Sequence, residues 1–331
     1  MKKEELRIIF MGTPEFAVES LKTLVEQNYN VVAVVTQPDK PVGRHGSVLQ
    51  ASAVKQYALQ HNIPVLQPEK MKDETFIEEL KAFRADLQVV VAFRMLPEVV
   101  WAMPPFGTFN VHAALLPQYR GAAPINWAVI NGEKQTGVTT FFLDQQIDTG
   151  KIIMKKTFDI PEDADAEYVY NGLMHLGAEI CQETVDHILE TDGNVQAMPQ
   201  QEEGELKAAP KIFKDTCRIN WQQKAENIYN FVRGLSPYPG TWTEIMPCDS
   251  NASQQPITLK IFKTAKSLMP ATLPVGSFSV EQNRLFVHTQ DSALEILELQ
   301  MPGKKRMNSK EFLNGMRHIQ HYHCISNTTE G

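Results

Sequence analysis

What the chain lacks narrows it first. Only four cysteines occur in 331 residues, Cys181, Cys217, Cys248 and Cys324, and none of them forms a CxxC pair. A disulfide-stapled secreted scaffold is therefore excluded, and four scattered thiols suit a reducing, cytoplasmic setting. Long apolar runs are missing too. The most apolar stretch, residues 87–106, is cut by Arg94, Pro97 and Glu98, whereas a membrane-spanning helix needs about 20 apolar residues in succession. The first apolar run, Ile8 to Met11, is too short for the core of a secretion signal. There is no internal repeat and no GxGxxG; the first glycine turn reads Gly12-Thr13-Pro14, which gives no dinucleotide fingerprint. These absences lead to the expectation of a soluble cytoplasmic protein with no membrane partner.

An overall basic surplus is also absent. The chain carries 32 bases against 39 acids, a net charge of −7. The division is uneven. Residues 205–331 hold 15 bases and 11 acids, a surplus of four bases, while residues 1–204 hold 17 bases and 28 acids, a surplus of 11 acids. An acidic front and a mildly basic rear fit a nucleic-acid partner for the rear, and equally an ordinary solvated surface. What is present is near average: 43% hydrophobic and 21% charged residues describe a globular protein. At roughly 150 residues per domain the length suggests two domains.

The first half alternates two kinds of segment. Short apolar runs at Arg7 to Gly12, Val31 to Thr36, Ile63 to Leu66, Leu87 to Phe93 and Gly107 to His112 read as strands. Helical stretches follow Pro14 to about Gln27, about Gln50 to His61, and around Asp73 to Phe83. This spacing predicts βαβ units and a doubly wound α/β sheet. Gly137 to Leu143 and Lys151 to Thr157 read as further strands, and Val169, Leu173, Leu176 and Ile180 recur at helical spacing. Residues 191–209 are polar and aperiodic, as a linker would be. Beyond them an amphipathic helix, Gln222 to Leu235, precedes short strands at 241–246, 257–264, 284–288 and 293–299. Short strands separated by turns suggest a small OB-like β-barrel. The predicted division is 1–190, a linker at 191–209, and 210–331.

Chemistry concentrates in two places. In Phe109-Asn110-Val111-His112, the polar side chains are two apart, so on a strand they leave the same face. Ligand crevices of open α/β sheets form at such strand ends. An amide can donate to a developing oxyanion, and an imidazole moves protons near neutral pH. The same two residues would also satisfy the chain reversal that follows them. Asp148, in Asp148-Thr149-Gly150, offers a carboxylate able to orient an imidazole or a water, in what is also an ordinary turn sequence. The loop Pro38 to Gly46 carries Lys40 and Arg44 and suits either an anionic partner or a plain surface. His318, His321, His323 and Cys324 are ligand-type residues without a paired cluster and read as a frayed tail.

Taken together these segments resemble the methionyl-tRNA formyltransferases, a branch of the folate-dependent formyltransferases. Phe10-Met11-Gly12-Thr13-Pro14-Glu15-Phe16-Ala17 resembles the family's opening. Asn110-Val111-His112, Leu115-Leu116-Pro117 and Arg120-Gly121-Ala122-Ala123-Pro124-Ile125 resemble its folate core, and Asp148-Thr149-Gly150 its second motif. Lys40 to Arg44 resembles the loop used against the tRNA acceptor end; Ile219-Asn220-Trp221, Arg233 and Ser236 to Gly240 resemble its C-terminal domain. Two departures stand out: Ala114 replaces the usual serine, and Gln145-Gln146-Ile147 replaces Glu-Gly-Leu.

The resemblance implies a Rossmann-like formyltransferase domain followed by an OB-like domain. It implies 10-formyltetrahydrofolate as formyl donor, methionyl initiator tRNA as acceptor, and no metal, since the donor is already activated. Asn110, His112 and Asp148 would be catalytic, and Ala114, Leu115, Leu116 and Pro117 would line the folate. Lys40, Arg44, Lys207, Lys211, Lys304, Lys305 and Arg306, with Lys214 and Arg218, would meet tRNA. A monomer is the simpler expectation. Three other readings share the core: a formyltransferase acting on a small amine, a formyltetrahydrofolate hydrolase, and a silent tRNA-binding protein on the same scaffold.

Overall fold

A computed structural model describes residues 1–42, 48–249 and 255–325. The chain divides into two compact units. The first comprises residues 1–124, 135–159 and 170–208; the second comprises 125–134, 160–169 and 209–331.

The first unit is built on β1 (Arg7–Gly12), β2 (Asn30–Val35), β5 (Val65–Leu66), β6 (Leu87–Val91), β7 (Thr108–His112), β9 (Gln135–Phe142) and β10 (Ile152–Asp159). They form one sheet in the order β10-β9-β7-β6-β1-β2-β5. Pairing is parallel from β5 through β7, and β9 and β10 join antiparallel at the other edge. A hairpin of β3 (Lys40–Val42) and β4 (Val48–Gln50), the short β8 (Arg120–Gly121) and β11 (Ala208–Ala209) lie outside this sheet. The helices are α1 (Glu15–Glu26), α2 (Ala53–Gln60), α3 (Glu74–Ala82), α4 (Glu98–Trp101) and the main part of α6 (Ala166–Glu190).

Sequence dictates this layering. Leu87 to Val91 is buried at every position, as a strand covered on both faces must be. Helix α1 buries Phe16, Ala17, Ser20, Leu21 and Leu24 along one stripe. The helix predicted from Gln50 begins instead at Ala53, because 48–50 pair in the hairpin and Ser52 caps the helix through Lys55 N at 3.0 Å. The chain moves outward from β1 to β2 and β5, then returns to the opposite side of β1 as β6. A crevice forms at such a reversal, beyond the C-terminal strand ends. Gly12 permits it: a Cβ there would lie 2.7 Å from Ala17 Cβ and 2.9 Å from the Val91 carbonyl.

The second unit holds α5 (Pro124–Ile130) apart from its first residue, the first turn of α6, α7 (Ala225–Gly234), α8 (Ser309–Gly315) and an antiparallel sheet. The strands are β12 (Thr241–Pro247), β13 (Ile257–Ala265), β14 (Phe278–Glu281), β15 (Arg284–His288), β16 (Ala293–Gln300), β17 (Met307–Asn308) and β18 (Tyr322–Cys324). They follow the order β14-β15-β16-β13-β12-β18, with β17 on β16. A Ser277–His323 bridge and a Cys324 N–Gly276 O bond of 2.8 Å join the two ends and close the barrel. Ile228 and Val232 of α7 share its core with Trp221, Ile245, Leu259, Leu285 and Ile296. The segment expected to fray is ordered through Ile325. Ile319 and Cys324 are buried, and β18 is the closing strand, so burial outweighs the polarity of its histidines. No helix among the described residues is long and apolar enough to cross a membrane.

His288, on β15, is buried; Nε2 lies 3.0 Å from Ser279 Oγ while Nδ1 has no partner among the described residues. Burial holds this imidazole below its ordinary pKa of 6.5, with Glu281 opposing in part. The unfolded chain therefore takes up the proton first as pH falls, and stability declines below about pH 6.5. The melting temperature should drop more between pH 7 and 5 in the parent than in a His288→Gln variant, which differential scanning calorimetry can read.

Candidate active site

Strand β7 lies between β6 and β9, with Asn110 opposite Phe141 and His112 opposite Thr139. Asn110 is partly exposed, and its amide has no hydrogen-bond partner among the described residues. Two residues on, His112 is only 6% exposed. Its Nε2 lies 2.9 Å from the Tyr119 carbonyl oxygen. A carbonyl only accepts, so Nε2 carries the hydrogen and Nδ1 is the exchangeable nitrogen. Nδ1 stands 4.0 Å from Asp148 Oδ2. That distance is too long for a direct hydrogen bond and is bridgeable by a shared proton carrier.

The turn after β7 makes this possible. Tyr119 adopts φ +60° and Gly121 φ +129°, which reverses the chain so that the Tyr119 carbonyl faces back to His112. Thr139 pins the turn's earlier part: its hydroxyl donates to Ala114 O at 2.7 Å and accepts from Leu116 N at 3.1 Å. Lys155 Nζ donates to the Leu116 carbonyl, and burial lowers the pKa of this lysine. Ala114 and Leu116 are fully buried, Leu116 in a cluster with Phe141 and Ile152. Leu115 and Pro117 are half-buried and so are the two of the four expected folate contacts that present surface.

Asp148 arrives by a different route. Its loop leaves β9 at Phe142, opposite Phe109, three residues from His112 along β7; at about 3.3 Å per residue it must travel back about 10 Å. Asp144 Oδ1 opens the loop, accepting from Gln146 N at 3.0 Å and Thr149 Oγ1 at 2.8 Å. Asp148 takes φ +56°, and its Oδ2 accepts from Gly121 N at 3.0 Å. Gly150 presses on β9 so closely that a Cβ would fall 1.6 Å from the Phe142 carbonyl oxygen. The structure thus brings Asn110, His112 and Asp148 together. Tyr119, Thr139 and Lys155 also serve the site, and sequence reasoning did not single them out, because each acts through main-chain atoms or a distant strand.

The expected tRNA contacts are spread out. Lys40 is exposed on the hairpin, and Arg44 lies outside the described residues. Lys207 is exposed in the first unit. In the second unit Lys304 and Lys305 are exposed between β16 and β17, whereas Arg306 pairs with Glu298 at 2.5 Å and lies 4.5 Å over the Phe262 ring. Lys211 sits 5.5 Å over Phe213, Lys214 is exposed, and Arg218 pairs with Glu244 at 2.8 Å while stacking on Trp242. Cross-strand neighbours Trp242, Lys260 and Gln300, with Gln300 Nε2 on Lys304 O at 2.8 Å, connect these groups over one outer barrel face. Among the described residues no group of three or more His, Cys, Asp or Glu could hold a metal.

An amide with no hydrogen-bond partner among the described residues thus stands beside an oriented imidazole and a carboxylate at the C-terminal end of a strand of a Rossmann-like sheet, a set with the chemistry for acyl-group transfer. Residues 6–185 match the formyl transferase family, and residues 211–317 match the C-terminal domain of formyl transferases. The chain is 59% identical to a methionyl-tRNA formyltransferase of Parabacteroides distasonis over 97% of its own length and 99% of the relative's. It is 48% identical to that of Flavobacterium johnsoniae, covering 95% and 97%. A sugar 3N-formyl transferase, WlaRD, solved with dTDP and 5-N-formyl-THF, superposes with a TM-score of 0.62 at 20% identity, covering 91% of this chain and 99% of that one. HypX from Aquifex aeolicus, solved with tetrahydrofolic acid, gives 0.60 at 18%, covering 93% of this chain and 46% of that one. The chain belongs to the formyl transferase family, with both its N-terminal and C-terminal domains.

Thr139→Val should leave Ala114 O and Leu116 N without a buried partner. Urea denaturation should show a loss of about 1–3 kcal/mol, and the KM for the formyl donor should rise as the turn loosens.

Proposed function

We propose that this protein transfers the formyl group of 10-formyltetrahydrofolate to the α-amine of methionyl initiator tRNA, giving formylmethionyl-tRNA for translation initiation. The observation that carries this reading is the unpartnered Asn110 amide beside His112, in a chain similar end to end to methionyl-tRNA formyltransferases. The fold and the catalytic set alone leave the acceptor open, since sugar formyltransferases share the architecture. The full-length relatives favour tRNA.

The amine nitrogen bonds to the formyl carbon and the carbonyl oxygen becomes an oxyanion. Asn110 Nδ2 donates to that oxygen. His112 Nδ1, freed by the Tyr119 carbonyl's hold on Nε2, takes the proton that the attacking amine must lose. The Asp148 carboxylate, 4.0 Å away, stabilises the resulting imidazolium. The proton then passes to the departing folate nitrogen as its bond to the formyl carbon breaks. Leu115 and Pro117 present the apolar surface for the folate. Lys211, Lys304 and Lys305 on the barrel, with Lys40, Arg44 and Lys207, meet tRNA phosphates, and Arg306 and Arg218 contribute through ion pairs that phosphate must displace.

Formyl transfer to methionyl initiator tRNA should be measured beside uncharged tRNA, glycinamide ribonucleotide and a 3-amino sugar nucleotide. Transfer to the charged tRNA alone is expected, and turnover with a small amine but not tRNA would assign the core to another acceptor. Asn110→Ala should lower kcat by about 100-fold to 1,000-fold with the fold intact by circular dichroism. Replacing both Lys304 and Lys305 by Ala should weaken tRNA binding and flatten the plot of log affinity against log salt; an unchanged slope would remove these lysines from the interface.

A further inference from the structure

Residues 198–207 are polar and aperiodic, yet within the first unit they are bonded to both loops that carry the candidate machinery. Met198 exchanges main-chain bonds of 2.7 and 2.9 Å with Ile152 at the start of β10. The Gln200 amide donates from Nε2 to the carbonyls of Asp148, at 2.8 Å, and Gly150, at 3.0 Å. Gln200 Oε1 accepts from Arg120 Nε at 3.1 Å and Nη2 at 2.6 Å, and Arg120 Nη1 reaches Glu202 at 2.6 Å. Farther along, Gln118 Oε1 accepts from Lys207 N at 2.8 Å, and Lys207 O accepts from Tyr119 N at 2.6 Å. The carbonyl of the same residue, Tyr119, accepts from His112. One strap therefore grips the Asp148 loop at Gln200 and the His112 anchor at Lys207.

The chemistry of the Gln200 position is specific. Both carbonyls need a donor and the Arg120 guanidinium needs an acceptor, and a carboxamide supplies both from one side chain. The grip falls on either side of Thr149, just where Asp148 holds the left-handed φ of +56°. Aspartate visits that conformation more readily than most side chains, and the two bonds from Gln200 hold the main chain there.

We infer that Gln200 is a positioning residue for formyl transfer, fixing the Asp148 carboxylate opposite His112 Nδ1 by clamping the Asp148 and Gly150 carbonyls. The inference rests on the roles proposed above for His112 and Asp148. Gln200 reaches no reacting atom, so its loss should affect turnover rather than binding. A displacement of about 1 Å in such a site can cost on the order of 100-fold in rate.

Steady-state kinetics of the full-length Gln200→Met and Gln200→Glu variants, varying 10-formyltetrahydrofolate and methionyl-tRNA separately, test this. In both, kcat should fall about 10-fold or more while each KM stays within about twofold of the parent. Gln200→Glu keeps the length and the acceptor for Arg120 but sets a carboxylate against two carbonyls. Its rate relative to the parent should climb as pH falls from 8 towards 5, because a protonated carboxyl again donates; that recovery is readable even if the Met variant does not fold. A kcat within threefold of the parent, KM increases matching the loss, or a Glu variant with no acid recovery would overturn the inference. His112→Ala in the same assays separates the two levels: near-parental turnover there would remove the underlying reading instead.

Discussion

One main-chain carbonyl governs what this site can do. The Tyr119 oxygen claims Nε2 of His112, which fixes the ring's tautomer and turns Nδ1 towards the Asp148 carboxylate. Were Nδ1 instead to donate to the Asp148 carboxylate, it could no longer accept from a substrate amine, and Nε2 would face the Tyr119 carbonyl with no hydrogen between them. At 4.0 Å the carboxylate faces the ring but is too far to occupy its nitrogen. In the reaction proposed above, Nδ1 is thereby left open to the substrate amine. Much of the surrounding structure serves that separation: the left-handed Tyr119, the Thr139 bracket and Lys155 on the Leu116 carbonyl hold the turn that carries the anchor.

The second loop has the harder task. Antiparallel pairing of β9 with β7 delivers residue 143 at the wrong end of β7 for contact with His112. The sheet cannot be rearranged without losing the register that aligns Asn110 and His112, so the correction is made in the loop. Gly150 lies flat against Phe142, Asp144 organises the loop's start, and the strap residue Gln200 holds its end. Such a loop tolerates sequence change where it only spans distance. Gln145 and Gln146 are exposed, as is Ile147 at 59%, so the departure there from the usual Glu-Gly-Leu falls on surface residues, of which Gln145 makes only a long bond of 3.5 Å to Glu98.

The legible parts of the sequence were those whose signal is local. Continuous apolar runs marked β1, β2 and β6, and helical spacing marked α1, α3, α6 and α7, because burial imposes those patterns along the chain itself. Asn110 and His112 could be paired from their two-residue spacing. Three kinds of feature escaped. Strand β18 hid behind the polarity of Tyr322 and His323, although Cys324 faces the barrel core. The β3–β4 hairpin took the residues expected to begin a helix. Tyr119 acts through its carbonyl, for which residue identity gives no signal, and Gln200 reaches a loop 52 residues away. Nothing in a polar, aperiodic run distinguishes the one amide that is clamped from those that are solvated.

The uneven charge then has a physical reason. The site proposed around His112 and Asp148 needs no basic surround. A polyanion as large as tRNA needs one. Placing 28 acids against 17 bases in residues 1–204, and 15 bases against 11 acids in the remainder, separates the two demands along the chain. Even in the acidic stretch, bases such as Lys40 and Lys207 stand exposed. Lys207, a proposed tRNA contact, also touches the turn that anchors His112. Its side chain is exposed, while its main-chain N and O are bonded to Gln118 and Tyr119. A phosphate held there would bear on the same strap that sets the distance between His112 and Asp148.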